Sequence, residues 1–163
     1  MSTVALLVSN QLRDELGDFS SIVCFKSVVV GTEEALGEKA AAIALIAAGR
    51  SRGKRLAEQL GLTNKGLDNA EIVPLLQTAL GKDGTRLCLI DKLVVIDDSI
   101  QVYCRETICS AGESQGSPRQ LTFTLGAIQG ALEQASGKRL RGKQTESVLR
   151  GSSHDVIRFE VLG

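Results

Sequence analysis

Apolar side chains recur every three or four positions in residues 117–137, SPRQLTFTLGAIQGALEQASG. Ser117 and Gln120 have the spacing of a capping box, and Pro118 suits the first helical position, where its missing N–H costs nothing. Gly137 can adopt the left-handed conformation that ends many helices. The apolar stripe consists of Leu121, Leu125, Ile128, Leu132 and Ala135. The pattern therefore predicts one amphipathic helix over residues 117–137.

Two glycines interrupt this predicted helix. Gly126 and Gly130 each cost on the order of 1 kcal/mol relative to alanine in a helix interior. A close approach by another backbone is the simplest compensation for such a cost. We therefore expect the helix to lie against another element at these two positions.

The N-terminal segments give less regular patterns. Residues 3–16 carry apolar side chains at spacings of three and four, which predicts a short helix, with a strand over residues 4–8 as the alternative. Residues 21–31, SIVCFKSVVVG, are rich in β-branched side chains and predict a strand or a kinked pair of strands ending at Gly31. Thr32, followed by two glutamates, then indicates the entrance of a helix.

An alanine-rich stretch follows in residues 35–60, which predicts a long helix, or two helices broken around Gly49 and Gly53. Its segment AAGRSRGKR resembles a relaxed phosphate-binding loop, but Arg55 stands where Ser or Thr should hold magnesium, and no strand precedes it. We therefore interpret the segment as a basic, exposed helix face. Its basic residues are Arg50, Arg52, Lys54 and Arg55.

The remaining segments predict one more helix and two hairpins. Asp68 or Asn69 can cap a helix through Ile72 and its apolar successors. Residues 87–96 and 100–104 predict a hairpin that turns at Asp97 and Asp98, and residues 138–151 and 155–163 predict a second hairpin. The C-terminal half is then β-β-α-β-β, with the central helix crossing one face of an antiparallel sheet. Helices from the N-terminal half cover it, so we expect an α+β fold.

Composition narrows the class of protein. The 163 residues fit a single domain, 1–163, and with 3% aromatic residues and no Trp the core must be aliphatic. Lys plus Arg equals Asp plus Glu at 19 each, so no overall field favours nucleic acid. The longest apolar run, residues 40–48, is far shorter than the roughly 20 residues of a membrane span. The N-terminus lacks the basic start of a signal peptide, which predicts a cytoplasmic protein.

Few residues indicate chemistry. The four cysteines have no C-x-x-C spacing and are expected to be reduced thiols. His154, the one histidine, lies in the polar segment GSSHD, where we expect a turn residue and not a base or a metal ligand. No nucleophile-elbow, zincin, calcium-loop or dinucleotide motif occurs in the sequence, so no catalytic residue is predicted.

An ordered set of residues between 106 and 159 carries a family resemblance. The set comprises Glu106, Cys109, Gly112, Phe123, Gly126, Gly130, Gly137, Glu146, Gly151 and Phe159. In this order it resembles the 4-vinyl reductase domain family of small-molecule or hydrocarbon-binding domains. That family is similar in fold to subunits of the transport protein particle, TRAPP, that hold an acyl chain. The resemblance covers residues 106–163 well and the first half only by the order of elements.

The sequence departs from the family at its C-terminus. Family members commonly carry two cysteines after the glutamate that matches Glu146, and some use these groups to hold zinc. Leu149 and Ile157 stand at those positions here. A tetrahedral zinc site needs about four ligands, and Cys109 with Glu146 makes only two. We therefore predict no metal, with Leu149 and Ile157 in the core and Glu146 either exposed or paired with a nearby lysine or arginine.

The resemblance implies a non-enzymatic binding or regulatory domain with an apolar pocket between the glycine-bearing helix and the sheet. The expected ligand is a lipophilic small molecule of the tetrapyrrole or long-chain hydrocarbon type, without a further cofactor, and the expected assembly is a homodimer. The candidate pocket residues are Cys109, Phe123, Gly126, Ala127, Gly130, Leu149 and Ile157. The alternative is a ligand-free scaffold that acts through a protein partner, with Gly126 and Gly130 at a dimer contact. A reductase is disfavoured because nothing in the sequence indicates a nicotinamide or flavin site.

A basic cluster, KRLRGK, opens the first strand of the second hairpin. Alternation along a strand favours an edge strand protected by charge. The alternative is contact with an anionic group of a ligand or a partner, through Arg139, Arg141 and Lys143.

Overall fold

A computed structural model describes residues 12–68 and 70–163 of the chain. Over these residues the elements run in the following order: α1 (Ile22–Leu36), α2 (Glu38–Gln59), α3 (Ile72–Leu80), β1 (Leu89–Ile96), β2 (Ser99–Arg105), α4 (Phe123–Ser136), β3 (Leu140–Glu146) and β4 (Asp155–Val161). A short 3₁₀ helix, Val148–Arg150, connects the last two strands. The predicted α+β fold is confirmed, with helices packed on one antiparallel sheet.

The sheet has the strand order β1-β2-β4-β3, and every neighbouring pair is antiparallel. Both predicted hairpins are therefore confirmed, although β3 ends at Glu146 and Val148–Arg150, predicted as strand, form the 3₁₀ helix. Asp97, at the turn between β1 and β2, has a φ of 51°. The two hairpins join through β2 and β4, where Val102 faces Ile157. Both side chains are fully buried, and the core is aliphatic as predicted, with Phe159 its largest fully buried side chain.

Helix α1 replaces the strand predicted over residues 21–31. Ser21 caps this helix, because its hydroxyl accepts a hydrogen bond from the Val23 N–H. The helix passes through Gly31 and the predicted entrance at Thr32, whose hydroxyl donates back to the carbonyl of Val28. It ends at Gly37, which has a φ of 81°. The strand prediction was wrong because β-branched residues only weakly disfavour a helix, and a cap with tertiary packing overrides that preference.

Helix α2 settles the choice between one long helix and two. It is continuous from Glu38 to Gln59, and both Gly49 and Gly53 lie buried within it. The break suggested by these glycines does not occur, because α4 packs directly on them and supports the helix there.

Two other segments differ from the predictions within the described residues. Helix α3 begins at Ile72 without a side-chain cap, so Asp68 does not cap it, and Asn69 lies outside the described residues. Most of the helix predicted over residues 3–16 also lies outside them. Within the described part, residues 14–16 form a turn instead of helix.

Helix α4 begins at Phe123, five residues after Pro118, the predicted first helical residue. The backbone just before it makes hydrogen bonds across the chain and not along a helix. Leu121 N–H donates to the Gln144 side chain, and the Arg119 carbonyl accepts from Arg150. The predicted end is confirmed, because Gly137 is left-handed with a φ of 71°.

Candidate functional site

Both glycines of α4, Gly126 and Gly130, lie in its contact with α2. A Cβ atom at Gly126 would lie 2.1 Å from the carbonyl oxygen of Ile46, and one at Gly130 would lie 2.0 Å from that of Arg50. The reciprocal glycines of α2 meet α4 in the same way, since a Cβ atom at Gly53 would lie 1.9 Å from the Ala127 oxygen. The predicted close backbone approach is confirmed, and its partner is α2. Gly126 and Gly130 are thus used in a contact within one chain.

The other candidate pocket residues lie at several places around this contact. Ala127 is buried between α2 and α4, whereas the half-buried ring of Phe123 packs edge-on against Phe25 of α1 at 4.9 Å. Leu149 and Ile157 are buried, which confirms their predicted place in the core.

Cys109 is buried in the long loop that joins β2 to α4, residues 106–122. Its sulfur accepts the Thr122 N–H at 3.4 Å and lies 3.6 Å from the Thr122 hydroxyl. This thiol therefore helps to fix the start of α4. Cys109, Cys88 and Cys104 are buried free thiols, and Cys24 is an exposed one.

A cleft of about 700 Å³ opens beside these residues, although none of the seven candidates lines it. It lies between the start of α2, the loop segment 117–122 and strand β3. Ala42 and Ile46 of α2, with Leu121 and Leu125, supply an apolar floor. Charged and polar groups line the remaining wall: Glu33, Glu34, Glu38, Lys39, Ser117, Arg119, Gln120, Thr122 and Gln144. The periodicity of α2 alone did not reveal this cleft, because its opposite wall is a loop that the sequence predicts as helix.

The loop wall of the cleft is fixed to α1 by charged contacts. Lys26 donates to the carbonyl oxygens of Ile108 and Cys109 at 3.0 and 2.8 Å and forms an ion pair with Glu113 at 2.9 Å. Arg119 forms ion pairs with Glu33 at 2.6 Å and with Glu113 at 3.0 Å. The interaction with Lys26 lowers the pKa of Glu113 below its ordinary value. This loop is therefore held by side chains, although it lacks regular secondary structure.

A buried carboxylate fixes the other side of the same loop. Asp155, at the start of β4, is fully buried and accepts hydrogen bonds from Thr107 at 2.7 Å and Ser110 at 2.8 Å. It also accepts the Val148 N–H at 3.0 Å. Neutral donors thus satisfy this carboxylate, and their effect is to hold the loop against the sheet.

The basic cluster lies where an edge strand was predicted. Strand β3 is at the edge of the sheet, and Arg139, Arg141 and Lys143 are exposed. Glu146 is exposed as well, which agrees with one of its two predicted states.

Within the part of the chain that the structure describes, no three His, Cys, Asp or Glu residues are grouped so as to hold a metal ion. No helix in the described ranges is long and apolar enough to cross a bilayer.

The sequence did not predict a polar cluster around His154. Its Nε2 lies 2.7 Å from Asp91 of β1, and its Nδ1 lies 2.8 Å from the Ser153 hydroxyl. Arg105 donates two hydrogen bonds to the same aspartate, at 2.5 and 3.0 Å. These bonds lower the pKa of Asp91 to about 2, with Arg105 the largest cause. Arg105 engages both oxygens of the carboxylate, and His154 lies just before β4. The cluster therefore links β1, β2 and the segment that leads into β4, which indicates a structural role.

We expect acid to weaken the fold through Asp91. A carboxyl whose pKa is lowered on folding adds stability above its unfolded pKa, and this stability is lost as the pH falls through the folded value. The loss should therefore occur between about pH 4 and pH 2. Urea unfolding at several pH values would measure it, and Asp91→Asn should show a smaller acid dependence.

The partner variant Arg105→Met provides the control for this expectation. Loss of its guanidinium should raise the pKa of Asp91 toward the ordinary value near 4, as followed by the NMR titration of the carboxyl carbon. An Asp91 that already titrates near 4 in the wild-type protein would contradict the contact.

Comparison with known proteins finds solved structures of similar fold. No family model and no curated protein matches the chain. The phenol-responsive sensory domain of the transcription activator PoxR, solved with phenol, is similar in structure with a TM-score of 0.67 and 14% identity, over 88% of this chain and 76% of that one. A trafficking protein particle complex subunit 3 from Naegleria fowleri, covalently bound to palmitic acid, matches with a TM-score of 0.57 and 16% identity, over 87% and 93%. At these identities the likeness shows the fold alone.

These matches confirm the expected similarity in fold to a TRAPP subunit. Membership of the 4-vinyl reductase domain family stays a prediction, because no family model matches.

Proposed function

We propose that this chain is a binding or regulatory domain for a lipophilic small molecule, and that the ligand occupies the cleft between α2, the loop segment 117–122 and β3. The observation that carries the proposal is the cleft itself. Its volume of about 700 Å³ falls within the roughly 300–1,000 Å³ of small-molecule sites, which are mostly apolar with a few polar groups. The apolar floor and the polar rim of this cleft have that character.

The structural neighbours support the same class of ligand. The PoxR domain was solved with phenol, and the trafficking subunit is covalently bound to palmitic acid. Proteins of this fold thus accommodate both a compact aromatic molecule and a long acyl chain. An acyl chain would lie along Ala42 and Ile46, while its polar end would meet the charged rim. A tetrapyrrole, the other ligand class that the family resemblance implies, would need the open side of the cleft for its carboxylates.

The proposed site differs from the pocket expected from sequence. Gly126, Gly130 and Ala127 support the helix beneath the cleft, and Cys109 orders the loop beside it. We propose that residues 1–163 form one domain. The alternative, a scaffold that acts through a protein partner, requires no ligand in the cleft.

Filling the cleft is expected to weaken ligand binding without unfolding the protein. Ala42→Trp places a large ring over the apolar floor, so the affinity for a bound probe should fall at least about tenfold. Titration with palmitic acid, phenol and protoporphyrin IX, followed by calorimetry or absorbance, would identify the class of ligand. Native mass spectrometry of freshly purified protein would detect a ligand that is already present.

Ser51→Phe is the matched control, because Ser51 lies on the exposed side of the same helix. This variant should bind the probe as the wild type does. If none of the three probes binds and nothing copurifies with the protein, the proposed function is wrong and the scaffold alternative gains support.

A further inference from the structure

A recess of about 300 Å³ lies between α2, the end of α4 and the segment just before β3. Every side chain in its lining is polar or charged, and none of its lining residues belongs to the cleft described above. The charged residues are three cations, Lys54, Lys138 and Arg139, and one carboxylate, Glu133. The recess therefore suits a polar ligand and is separate from the cleft proposed for a lipophilic one.

The carboxylate of this recess is already satisfied by other groups. Glu133 receives two hydrogen bonds from Arg50, at 2.7 and 3.0 Å, and a third from the Leu140 N–H at 2.9 Å. Lys54 lies 3.6 Å from the same carboxylate, which is longer than the roughly 2.7–2.9 Å of a charge-assisted hydrogen bond. Arg50 thus balances the charge of Glu133, and the Lys54 ammonium has donors left for another anion.

The other two cations of the recess have no ion pair within the described part of the chain. Lys138 and Arg139 are both exposed, and no described carboxylate lies in ion-pair distance of either. Cations after a helix often bind its last carbonyl oxygens. At the end of α4, however, backbone N–H groups of the loop after α2 donate to the Gln134 and Ala135 oxygens, at 3.0 and 2.9 Å. The two cations are therefore not needed to cap α4.

Neutral donors complete the wall of the recess. The Thr63 hydroxyl accepts a hydrogen bond from the Gln134 side chain at 3.0 Å, so its own hydrogen can be donated to a ligand. Asn64 also lines the recess and carries an amide with two N–H donors. The lining thus combines three positive charges with neutral donors, which is the chemistry that binds an anion with several acceptor oxygens.

We infer that this recess binds a phosphate monoester, with Lys54, Lys138 and Arg139 as its charged contacts. A phosphate dianion matches three cations better than a carboxylate does, because it carries up to two charges and three acceptor oxygens. The recess has no aromatic or apolar side chain in its lining, so only the phosphate end of a ligand is expected to lie there. Arg141 and Lys143 line no part of it, although the sequence groups them with Arg139 as candidate anion contacts.

Isothermal titration calorimetry of the full chain with glycerol 3-phosphate and with inorganic phosphate tests the inference. In about 0.15 M salt the wild type should bind glycerol 3-phosphate with a dissociation constant of about 1 mM or lower. Lys54→Gln and Arg139→Gln should each weaken this binding about tenfold, because each removes one charge-assisted contact. The two substitutions lie in different segments, so the test remains valid if one variant fails to fold.

A lipid headgroup is a second source of the same phosphate chemistry. Flotation with phosphatidylcholine vesicles, with and without phosphatidic acid, distinguishes the two sources. Binding that requires phosphatidic acid, is lost in both variants and occurs without binding of glycerol 3-phosphate would support the site and assign the phosphate to a lipid. Binding of the vesicles that both variants retain would contradict the inference, because the contact would then lie elsewhere.

Lys143→Gln is the matched control, because it removes the same charge from β3 outside the recess. Lys143 lies four residues after Arg139, roughly 13 Å along an extended chain and beyond the screening length of about 8 Å. This variant should bind as the wild type does, and circular dichroism should show unchanged helix content in all three variants. A wild type that binds none of the probes, or equal weakening by Lys143→Gln and Arg139→Gln, would overturn the inference. Because the recess and the cleft share no lining residue, these results are independent of the ligand proposed for the cleft.

Discussion

Replacing Gly53 with alanine is expected to lower the free energy of unfolding by about 3 kcal/mol or more, although alanine is the better helix former by about 1 kcal/mol. The added Cβ atom would lie 1.9 Å from the carbonyl oxygen of Ala127. This neighbour is backbone and not the end of a flexible side chain, so α2 and α4 must move apart. Urea unfolding followed by circular dichroism would measure the loss.

The same experiment has a control and a confirming variant. Ser51→Ala introduces the same residue on the exposed side of α2 and should change the free energy of unfolding by less than about 0.5 kcal/mol. Gly130→Ala approaches the contact from α4, where its Cβ atom would lie 2.0 Å from the Arg50 oxygen, and should be as destabilising as Gly53→Ala. A Gly53→Ala protein with wild-type stability would show that the helices are not paired this closely.

Removing the carboxylate of Glu133 is also expected to lower the free energy of unfolding by a large amount. This side chain on α4 is 4% exposed and receives two hydrogen bonds from Arg50 of α2, at 2.7 and 3.0 Å. It also accepts the Leu140 N–H of β3 at 2.9 Å. Burial acts to raise the pKa of Glu133, but the bonds from Arg50 and Leu140 outweigh it, so the pKa lies below its ordinary value. One carboxylate thus joins two helices and the sheet.

Glu133→Ala should therefore lower the free energy of unfolding by about 3 kcal/mol, because it leaves the Arg50 charge and a buried N–H without partners. Chemical denaturation at neutral pH would measure this change. Glu160→Ala, which removes the exposed pair with Arg158, serves as the comparison and should cost less than about 1 kcal/mol. Equal effects of the two substitutions would mean that Glu133 is solvated in solution.

The C-terminal half could be predicted from sequence because its signals are local. Asp97 and Asp98 mark a turn between two runs of β-formers, and Gly137 ends a helix by its own left-handed conformation. Such patterns depend on neighbours within a few residues, so the two hairpins and the helix between them were predicted correctly, although the start of that helix was not.

The first half was harder because tertiary contacts decide its structure. The valines at positions 28–30 favour a strand by propensity, yet the Ser21 cap and the packing of Phe25 and Val29 hold them in a helix. The capping box at Ser117 is overridden by hydrogen bonds with distant side chains, such as the bond that the Leu121 N–H donates to Gln144. No local pattern contains this information.

The candidate site was predicted in part for the same reason. The cost of Gly126 and Gly130 correctly indicated a close helix contact, but it did not indicate which element makes it. The cleft depends on α2 lying opposite a loop some 75 residues later, with Ile46 and Leu121 on the two sides. A pairing over such a distance leaves no periodic trace in either segment.

Helices α1 and α4 differ in how much of each is buried, and this difference affects how easily the two walls of the cleft can move. Helix α4 has 14 residues, of which 11 are buried, whereas Val29 is the buried residue of α1. Segments that bury little open locally at a small cost in free energy, and those that bury most open only with the whole domain. Leu125 on α4 therefore belongs to a stiff wall, while the loop wall is tied through Arg119 to the more loosely held α1. Ligands of different shape would be accommodated by displacement of that loop and α1, with the sheet and α4 left unchanged.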